Sequence, residues 1–429
     1  MMLRVCPPSR LAARYGKPIA TTLVLLLRTA LQAGAFIIIA RMLGAADYGA
    51  FVAVVSLAAI FAPFATVGFE IVLLRAVAVD RTLLPSAFTT GIRLIAGFGS
   101  ALVLVGMIAD HILELVPVTL LCLGSVLVSD LLFSPCIELS SRAFQAIDEA
   151  VKAALLRVLQ AALRFGAALT LSMIGGAGRL ELWALLYASA SAIAATLSIV
   201  IVLKSSGVAR ARRAHSWGGL NFGGWFALNG VTERANNDAD KIMMARLASL
   251  PEAGAYSAAY RFMELALVPV GALLMNASAG TFRAGAGGFA RAHFRQLLVP
   301  LTVYGAFAAV GLFAVAPLLP VLLGRQFETG IRIVQAFALF PVLHAWRHAL
   351  TQALMSIDAM RFVSAMQVCA ATLTVVLNLA LIPRFGWLGA LVVTLFVEAI
   401  VAFVFAVVLV KRTAAQSRCT TRRSDSASL

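Results

Sequence analysis

The chain has 429 residues, of which 61% are hydrophobic and only 13% are charged. Soluble domains average about 45–50% apolar and about 25% charged residues, so this composition excludes a soluble enzyme, a DNA-binding module and a secreted disulfide scaffold. The formal net charge of +16 would suggest a nucleic-acid partner in a soluble protein, but in a membrane protein it first indicates an excess of basic residues in cytoplasmic loops.

Twelve apolar runs predict membrane-spanning helices, because about 20 apolar residues cross a hydrocarbon core of roughly 30 Å. The first run is not a signal peptide, since it is longer than the apolar segment of one and contains Arg28. The sequence therefore predicts an all-α integral membrane protein without a soluble catalytic domain. In chain order the runs are 18–40, 46–67, 86–108, 116–137, 152–174, 181–203, 220–244, 254–278, 298–320, 333–354, 361–382 and 386–410.

The distribution of lysine and arginine predicts the topology. With the N-terminus inside, the cytoplasmic segments contain 21 basic residues and the outer connections contain 6. This bias predicts that both termini lie in the cytoplasm. The predicted segments are a cytoplasmic tail, a six-helix lobe, a basic cytoplasmic linker, a second six-helix lobe and a basic tail, at 1–17, 18–203, 204–219, 220–410 and 411–429.

The two halves of the chain resemble each other. Residues 40–51 match 245–256 with an offset of 205, and Asp148 matches Asp358 with an offset of 210. Because six helices are an even number, both halves enter the membrane from the same side, which predicts parallel repeats facing each other across a central cleft. Coincidence among alanine-rich helices is the alternative explanation.

Eight basic residues fall inside the predicted spans. A charge at the bilayer centre costs at least about 2.5–3.5 kcal/mol, so each should snorkel, pair or face water. Arg157 lies near the cytoplasmic end of its helix and is predicted to snorkel. The spacing of Arg234 with Asp238, and of Arg261 with Glu264, predicts two ion pairs within helices.

Acidic residues are fewer than basic residues inside the spans, which predicts a cationic cavity for a phosphate, a diphosphate or an acidic sugar. Each arginine could instead serve only as a structural ion-pair partner. The candidate substrate-binding residues are Arg28, Arg93, Arg164, Arg234, Lys241, Arg261 and Arg347. The chain has no ATP-binding motif, so an H⁺ or Na⁺ gradient is the expected energy source. The candidate ion-coupling residues are Asp130, Asp240 and Glu398. No metal site, disulfide or other cofactor is predicted.

The seventh predicted helix is the least regular. Helical spacing places Arg234, Asn237, Asp238 and Lys241 on one face. An exposed loop beyond a short helix is the alternative, but the apolar residues 242–244 continue the helical pattern and favour a span. Arg234 is the favoured contact for a diphosphate, because a guanidinium can form two parallel hydrogen bonds to phosphate.

Three aromatic residues have two possible roles. Tyr256 could stack on a sugar, but anchoring at the membrane interface is the favoured interpretation. His344 and His348 flank Arg347 and could carry protons, or they could be hydrogen-bonded core residues.

Four motifs occur in the order typical of one transporter family. The pattern R-x-L-G-x-x-x-Y-G, with methionine before the leucine, is followed by D-K-I-M-M, by G-A-Y-S-A-A-Y and by L-I-P-R-F-G-W-L-G-A; the motifs cover 41–49, 240–244, 254–260 and 381–390. Over about residues 15–410 the chain resembles the polysaccharide-biosynthesis flippases of the multidrug/oligosaccharidyl-lipid/polysaccharide exporter superfamily. Ala248 and Ser249 depart from the Leu-Gly that many members have there.

The resemblance implies two six-helix lobes that move undecaprenyl-diphosphate-linked oligosaccharide from the cytoplasmic to the periplasmic leaflet by alternating access. It also implies membrane lipids, a polysaccharide polymerase and a chain-length regulator as partners, no nucleic acid, and no enzymatic activity. The lipid II flippase branch has fourteen helices and fits less well. Three alternatives are a multidrug/cation antiporter, which would need an acidic cavity, a membrane glycosyltransferase, polymerase or ligase, which would need a longer outer loop, and a non-transporting scaffold.

Overall fold

A computed structural model of the chain describes residues 8–174, 178–206, 220–286, 291–357 and 359–427. In these ranges the backbone forms helices joined by short turns. Helices satisfy their own backbone hydrogen bonds, as a segment in hydrocarbon must. Most of the predicted linker at 204–219, the start of the predicted N-terminal tail and the repeat residue Asp358 lie outside the described residues.

The helices of the first half follow one another with few breaks. Two π-helical turns, at Ile95–Gly99 and Ser129–Phe133, join α3 to α4 and α5 to α6 without interrupting the helical run. The helices are α1 (Pro8–Ala65), α2 (Phe69–Val79), α3 (Leu84–Leu94), α4 (Ser100–Leu113), α5 (Leu120–Val128), α6 (Ser134–Ala146), α7 (Ala150–Ile174) and α8 (Arg179–Ser206).

The second half begins with three long helices, which are followed by a region of shorter helices. Short 3₁₀ turns separate α11 to α14 from one another. The helices are α9 (Leu220–Leu247), α10 (Leu250–Ala286), α11 (Arg291–Val315), α12 (Leu319–Leu323), α13 (Thr329–Ala336), α14 (Phe340–Ser356), α15 (Met360–Phe385) and α16 (Trp387–Ala427).

The predicted multi-pass membrane character is confirmed. Within the described chain, eight helical stretches are long and apolar enough to cross a membrane: Leu23–Ala65, Arg81–Leu113, Leu120–Ala146, Ala150–Ile174, Arg179–Ser205, Leu298–Leu323, Met360–Phe385 and Trp387–Arg412. The first of these bends at Gly44 (φ 77°) and covers two of the predicted spans. The predicted spans at 220–244, 254–278 and 333–354 are helical as well but do not belong to these eight.

One helix was not predicted. The sequence interpretation treats residues 68–85 as a connection, but α2 occupies most of it. The left-handed backbone of Val67 and Gly68 ends α1, and the eleven residues of α2 then bury Phe69 and Leu73 completely. The segment is too short to be recognised as a span, yet its apolar face packs into the core with α3, α6, α7 and α8.

The chain divides into two compact units. Unit 1 comprises Met1–Leu43 and Ala50–Arg234, and unit 2 comprises Gly44–Gly49 and Ala235–Leu429. The division falls inside α9. A core of unit 1 lies among α2, α3, α6, α7 and α8, and a core of unit 2 lies among α14, α15 and α16.

Glycines of the two repeat motifs pack against each other inside unit 2. A Cβ atom at Gly254 would lie 1.8 Å from the carbonyl oxygen of Ala45, and one at Gly49 would lie 2.3 Å from that of Leu250. The side chain of Gln326 accepts a hydrogen bond from the Ala45 amide at 3.1 Å. Close backbone packing therefore explains why both motifs have a glycine at this position, since only glycine allows the two backbones to approach so closely.

We expect Gly254→Ala to destabilise unit 2, because its methyl group would meet rigid backbone rather than a mobile side chain. Overpacking of this kind costs typically about 1–3 kcal/mol. Thermal unfolding of the purified protein should therefore begin at a lower temperature. The control is Gly271→Ala on the same helix, where a Cβ would have no neighbour within 4 Å. Equal melting of the two variants would contradict the packing argument.

Candidate functional site

Arginines concentrate where α7 packs against α6 in unit 1. Nε and Nη2 of Arg157 donate to the two carboxylate oxygens of Glu138 at 3.0 and 2.8 Å. Arg142 reaches the same carboxylate at 2.9 Å. A neighbouring helix thus supplies a bidentate acceptor that was not predicted for Arg157, and its snorkelling to the interface stays a prediction. The i,i+4 spacing of Glu138 and Arg142 is the signal that could have identified this carboxylate.

Another ion pair of unit 1 joins α7 to the π-helical turn at Ser129–Phe133. Nη2 of Arg164 donates to Asp130 at 2.8 Å, and the hydroxyl of Tyr187 on α8 donates to both oxygens of the same carboxylate at 3.0 Å. The guanidinium carbon lies 3.9 Å from the centre of the Tyr187 ring. Three serine hydroxyls also lie within hydrogen-bond distance of Nη2 or Nε of this guanidinium, at 3.2, 3.1 and 3.1 Å: Ser129, Ser134 and Ser191.

Arg28 is the cation of this region that has no acceptor within the described chain. Its half-buried side chain on α1 lies close enough to Arg157, Arg164 and Glu138 for their charges to interact. Glu70 lies near Arg142 and adds a third carboxylate. We call this set the arginine cluster: Arg28, Arg142, Arg157 and Arg164 with Glu70, Asp130 and Glu138. Its arginines outnumber its carboxylates by one, and Arg28 carries the excess charge.

The polar part of α9 is helical, as the apolar continuation at 242–244 indicated. The ammonium of Lys241 pairs with Asp238 at 2.5 Å and lies 4.1 Å from the centre of the Tyr260 ring. The predicted pair of Arg234 with Asp238 is therefore wrong, because the shorter i,i+3 spacing brings Lys241 to that carboxylate. Arg234 is exposed and forms no ion pair with another described residue.

The next carboxylate of α9 is buried against α10. The hydroxyl of Tyr256 donates to Oδ2 of Asp240 at 2.5 Å, and the backbone amide of Lys241 donates to Oδ1 at 2.8 Å. Tyr256 is fully buried and Asp240 is 3% exposed. The interpretation of Tyr256 as an interface anchor is wrong, because its hydroxyl donates its hydrogen bond to a buried carboxylate and not to water at the interface.

A third charged group of unit 2 lies between α14 and α16. Nε of Arg347 contacts Oε2 of Glu398, and Nδ1 of His344 lies 3.2 Å from Oε1 of the same carboxylate. Nη2 of Arg347 also donates to Nε2 of His348 at 3.2 Å. The ring of Phe340 stacks on His344 with centroids 5.2 Å apart. We call Arg347, Glu398 and His344 the histidine–glutamate network.

The remaining predicted cations are more exposed. Arg261 pairs with Glu264 at 3.1 Å, which confirms the predicted pair, and it lies beside the hydroxyl of Tyr48. Arg93 is exposed on α3 and has no ion-pair partner among the described residues. The structure thus pairs four of the seven predicted cations: Arg164, Lys241, Arg261 and Arg347. The other three have no ion pair within the described chain: Arg28, Arg93 and Arg234.

Comparison with known proteins gives a family and a fold. A model of the polysaccharide biosynthesis protein family matches residues 17–279. No functionally curated protein is significantly similar in sequence. An inward-facing multidrug resistance transporter of the MATE family and MOP superfamily has a TM-score of 0.70 at 13% identity, over 93% of this chain and 99% of that one.

Two further solved structures have the same fold. The lipid II flippase MurJ, in an inward closed conformation, has a TM-score of 0.67 at 14% identity, over 92% of this chain and 87% of that one. A MOP superfamily transporter from Pyrococcus furiosus, described by the reverse polarity of its binding pocket, has a TM-score of 0.65 at 12% identity, over 92% and 95% of the two chains. At these identities the similarity establishes the fold of MOP superfamily transporters.

Proposed function

The chain belongs to the polysaccharide biosynthesis protein family, and on this premise we propose that it is a flippase for lipid-linked oligosaccharides. The substrate is an undecaprenyl-diphosphate-linked repeat unit of an O-antigen, capsule or exopolysaccharide, moved across the bacterial inner membrane by alternating access. The prenyl tail stays in lipid, while the diphosphate and the sugars need a polar path. A polysaccharide polymerase and a chain-length regulator are the expected partners.

The observation that carries the proposal is the uncompensated guanidinium of Arg28 within the arginine cluster. A half-buried arginine beside two like charges and one carboxylate that other arginines already share is costly unless an anion occupies its surroundings during the transport cycle. Diphosphate suits such a group, because guanidinium binds phosphate through two parallel hydrogen bonds. Arg93 and Arg234, which also have no ion pair within the described chain, are the next candidates for this contact.

The paired cations have a different proposed role. Arg164, Lys241, Arg261 and Arg347 already contact carboxylates, so they could bind substrate only by exchanging partners. Their carboxylates supply the candidate groups for coupling to an ion gradient. These are Asp130, held by Arg164 and Tyr187, Asp240, held by Tyr256, and Glu398, held by Arg347 and His344.

Reconstitution tests the proposed function directly. Purified protein in liposomes should equilibrate a fluorescent undecaprenyl-diphosphate oligosaccharide between leaflets, measured as the fraction of sugar that a membrane-impermeant reagent can reach. Liposomes without protein are the control. The MATE-like fold makes a drug antiporter the second candidate. Transport of a cationic dye without movement of the lipid-linked sugar would therefore reject the flippase.

We further propose twelve spans with both termini cytoplasmic, and reporter fusions should report this topology. Fusions after Lys204 and after Lys411 are expected to be active as cytoplasmic reporters, and fusions near Arg179 and Arg325 as periplasmic ones. The expectation follows from the excess of basic residues on one side of the membrane. A periplasmic reporter signal after Lys411 would require an odd number of spans and would remove the parallel-repeat argument.

A further inference from the structure

We propose that Nε2 of His344 is the proton-binding site that couples export to a proton gradient. This inference rests on the proposed flippase function and names its coupling ion. It starts from the histidine–glutamate network between α14 and α16. The exposed fraction of the side chain is 20% for His344, 10% for Arg347 and 6% for Glu398. The histidine is therefore the most exposed member of the network.

The carboxylate fixes the tautomer of His344. Oε1 of Glu398 lies 3.2 Å from Nδ1, and an ionised carboxylate can only accept a hydrogen bond. Nδ1 therefore carries the proton of the neutral ring, and Nε2 presents a lone pair. Within the described chain no side chain or backbone group hydrogen-bonds to this Nε2. The imidazole is thus oriented like a general base whose second nitrogen is held by a carboxylate.

His348, one turn further along α14, is arranged differently. Its Nε2 accepts a hydrogen bond from Nη2 of Arg347 at 3.2 Å. That lone pair is already used, and a proton there would face the guanidinium directly. The two histidine rings lie only 4.3 Å apart, so a charge on one would also oppose a charge on the other. The geometry therefore assigns the proton to His344 and not to His348.

The charges around His344 allow it to hold a proton reversibly. Arg347 and Glu398 compensate each other, so proton binding at Nε2 changes the network from neutral to singly positive. Glu398 supports the imidazolium, while Arg347 opposes it. The groups whose charges interact with Glu398 on α16 include Arg347, His344 and His348 on α14 and the phenol of Tyr260 on α10.

The proton step needs no other reactant. An N–H bond forms at Nε2 with a proton delivered by water from one side of the membrane, and it breaks when water on the other side removes the proton. Coupling follows when the two conformations of the transporter differ in the affinity of His344 for this proton.

A substrate-free measurement tests the proton site itself. In protein labelled with ¹⁵N-histidine and placed in lipid nanodiscs, the Nε2 signal of His344 should move between its unprotonated and protonated positions from pH 8 to pH 5. Comparison with His344→Gln assigns the signal. A His344 signal that stays constant over this range would overturn the inference, whatever the protein transports.

A transport measurement tests the coupling. One proton per cycle shifts the steady-state ratio of lipid-linked sugar between leaflets about tenfold for each unit of pH gradient. The parent protein and His348→Gln should show this shift, and His344→Gln should lose it while still equilibrating the sugar without a gradient. His111→Gln, exposed at the end of α4, is the control. A full shift in His344→Gln would reject the inference, whereas a parent protein that moves no lipid-linked sugar would reject the proposed function and leave the ¹⁵N titration to decide the proton site.

Discussion

Arg28→Ala should lower the rate of lipid-linked oligosaccharide flipping about tenfold to a hundredfold. A hydrogen bond to a charged group contributes about 1.5–3 kcal/mol, and Arg28 has no protein acceptor within the described chain that could compete for it. The flipping rate of Arg28→Lys should be intermediate, because lysine keeps the positive charge but lacks the planar guanidinium that forms two parallel hydrogen bonds to phosphate. Flipping in liposomes and the amount of surface polysaccharide in cells both measure the effect.

The electrostatics of the arginine cluster separate a binding role of Arg28 from a structural one. Arg28 lies near Arg157, Arg164 and Glu138, so its removal relieves more repulsion than attraction and should leave the melting temperature unchanged or slightly higher. A residue that holds the fold together would show the opposite. Arg361→Ala, on an exposed position of α15, is the control for loss of one arginine. Normal flipping by Arg28→Ala would move the diphosphate contact to Arg93 or Arg234.

The helical segments were predictable because the length of each apolar run can be read from the sequence and compared with the thickness of a membrane. The twelve apolar runs all fall on helices in the described chain, and even the polar stretch of α9 stays helical. Helix α2 was missed because its role is packing and not spanning. Eleven residues are too few for a bilayer, and only their contacts with α3, α6, α7 and α8 explain them.

The partners of the buried charges were less predictable. Helical spacing allows Asp238 to meet either Arg234 or Lys241, and the choice depends on packing around the two side chains. Pairs between helices, such as Arg157 with Glu138 and Tyr256 with Asp240, leave no periodic signal in one sequence. Sequence alone thus identifies which charged residues are unfavourable inside a membrane. The packing of the helices determines which of these charges are neutralised by a partner.

Asp130→Ala should destabilise unit 1 by about 3–5 kcal/mol, because it leaves the guanidinium of Arg164 largely buried without a countercharge. It also removes the acceptor of the Tyr187 hydroxyl. Lower protein levels and a lower melting temperature would measure the loss. Arg81→Ala provides the matched control, because its ion pair with Asp148 is exposed on both sides and such pairs contribute about 0–1 kcal/mol.

The double variant Asp130→Ala with Arg164→Leu distinguishes a structural pair from an ion-coupling site. Removing both charges eliminates the unpaired cation, so most of the lost stability should return. If Asp130 only neutralises Arg164, the double variant should also regain flipping that responds to a gradient. A double variant that melts like the parent protein but equilibrates substrate without responding to any ion gradient would instead place Asp130 in the coupling step. That result would contradict the assignment of coupling to His344 alone, because a stable protein with an intact histidine–glutamate network would then be uncoupled.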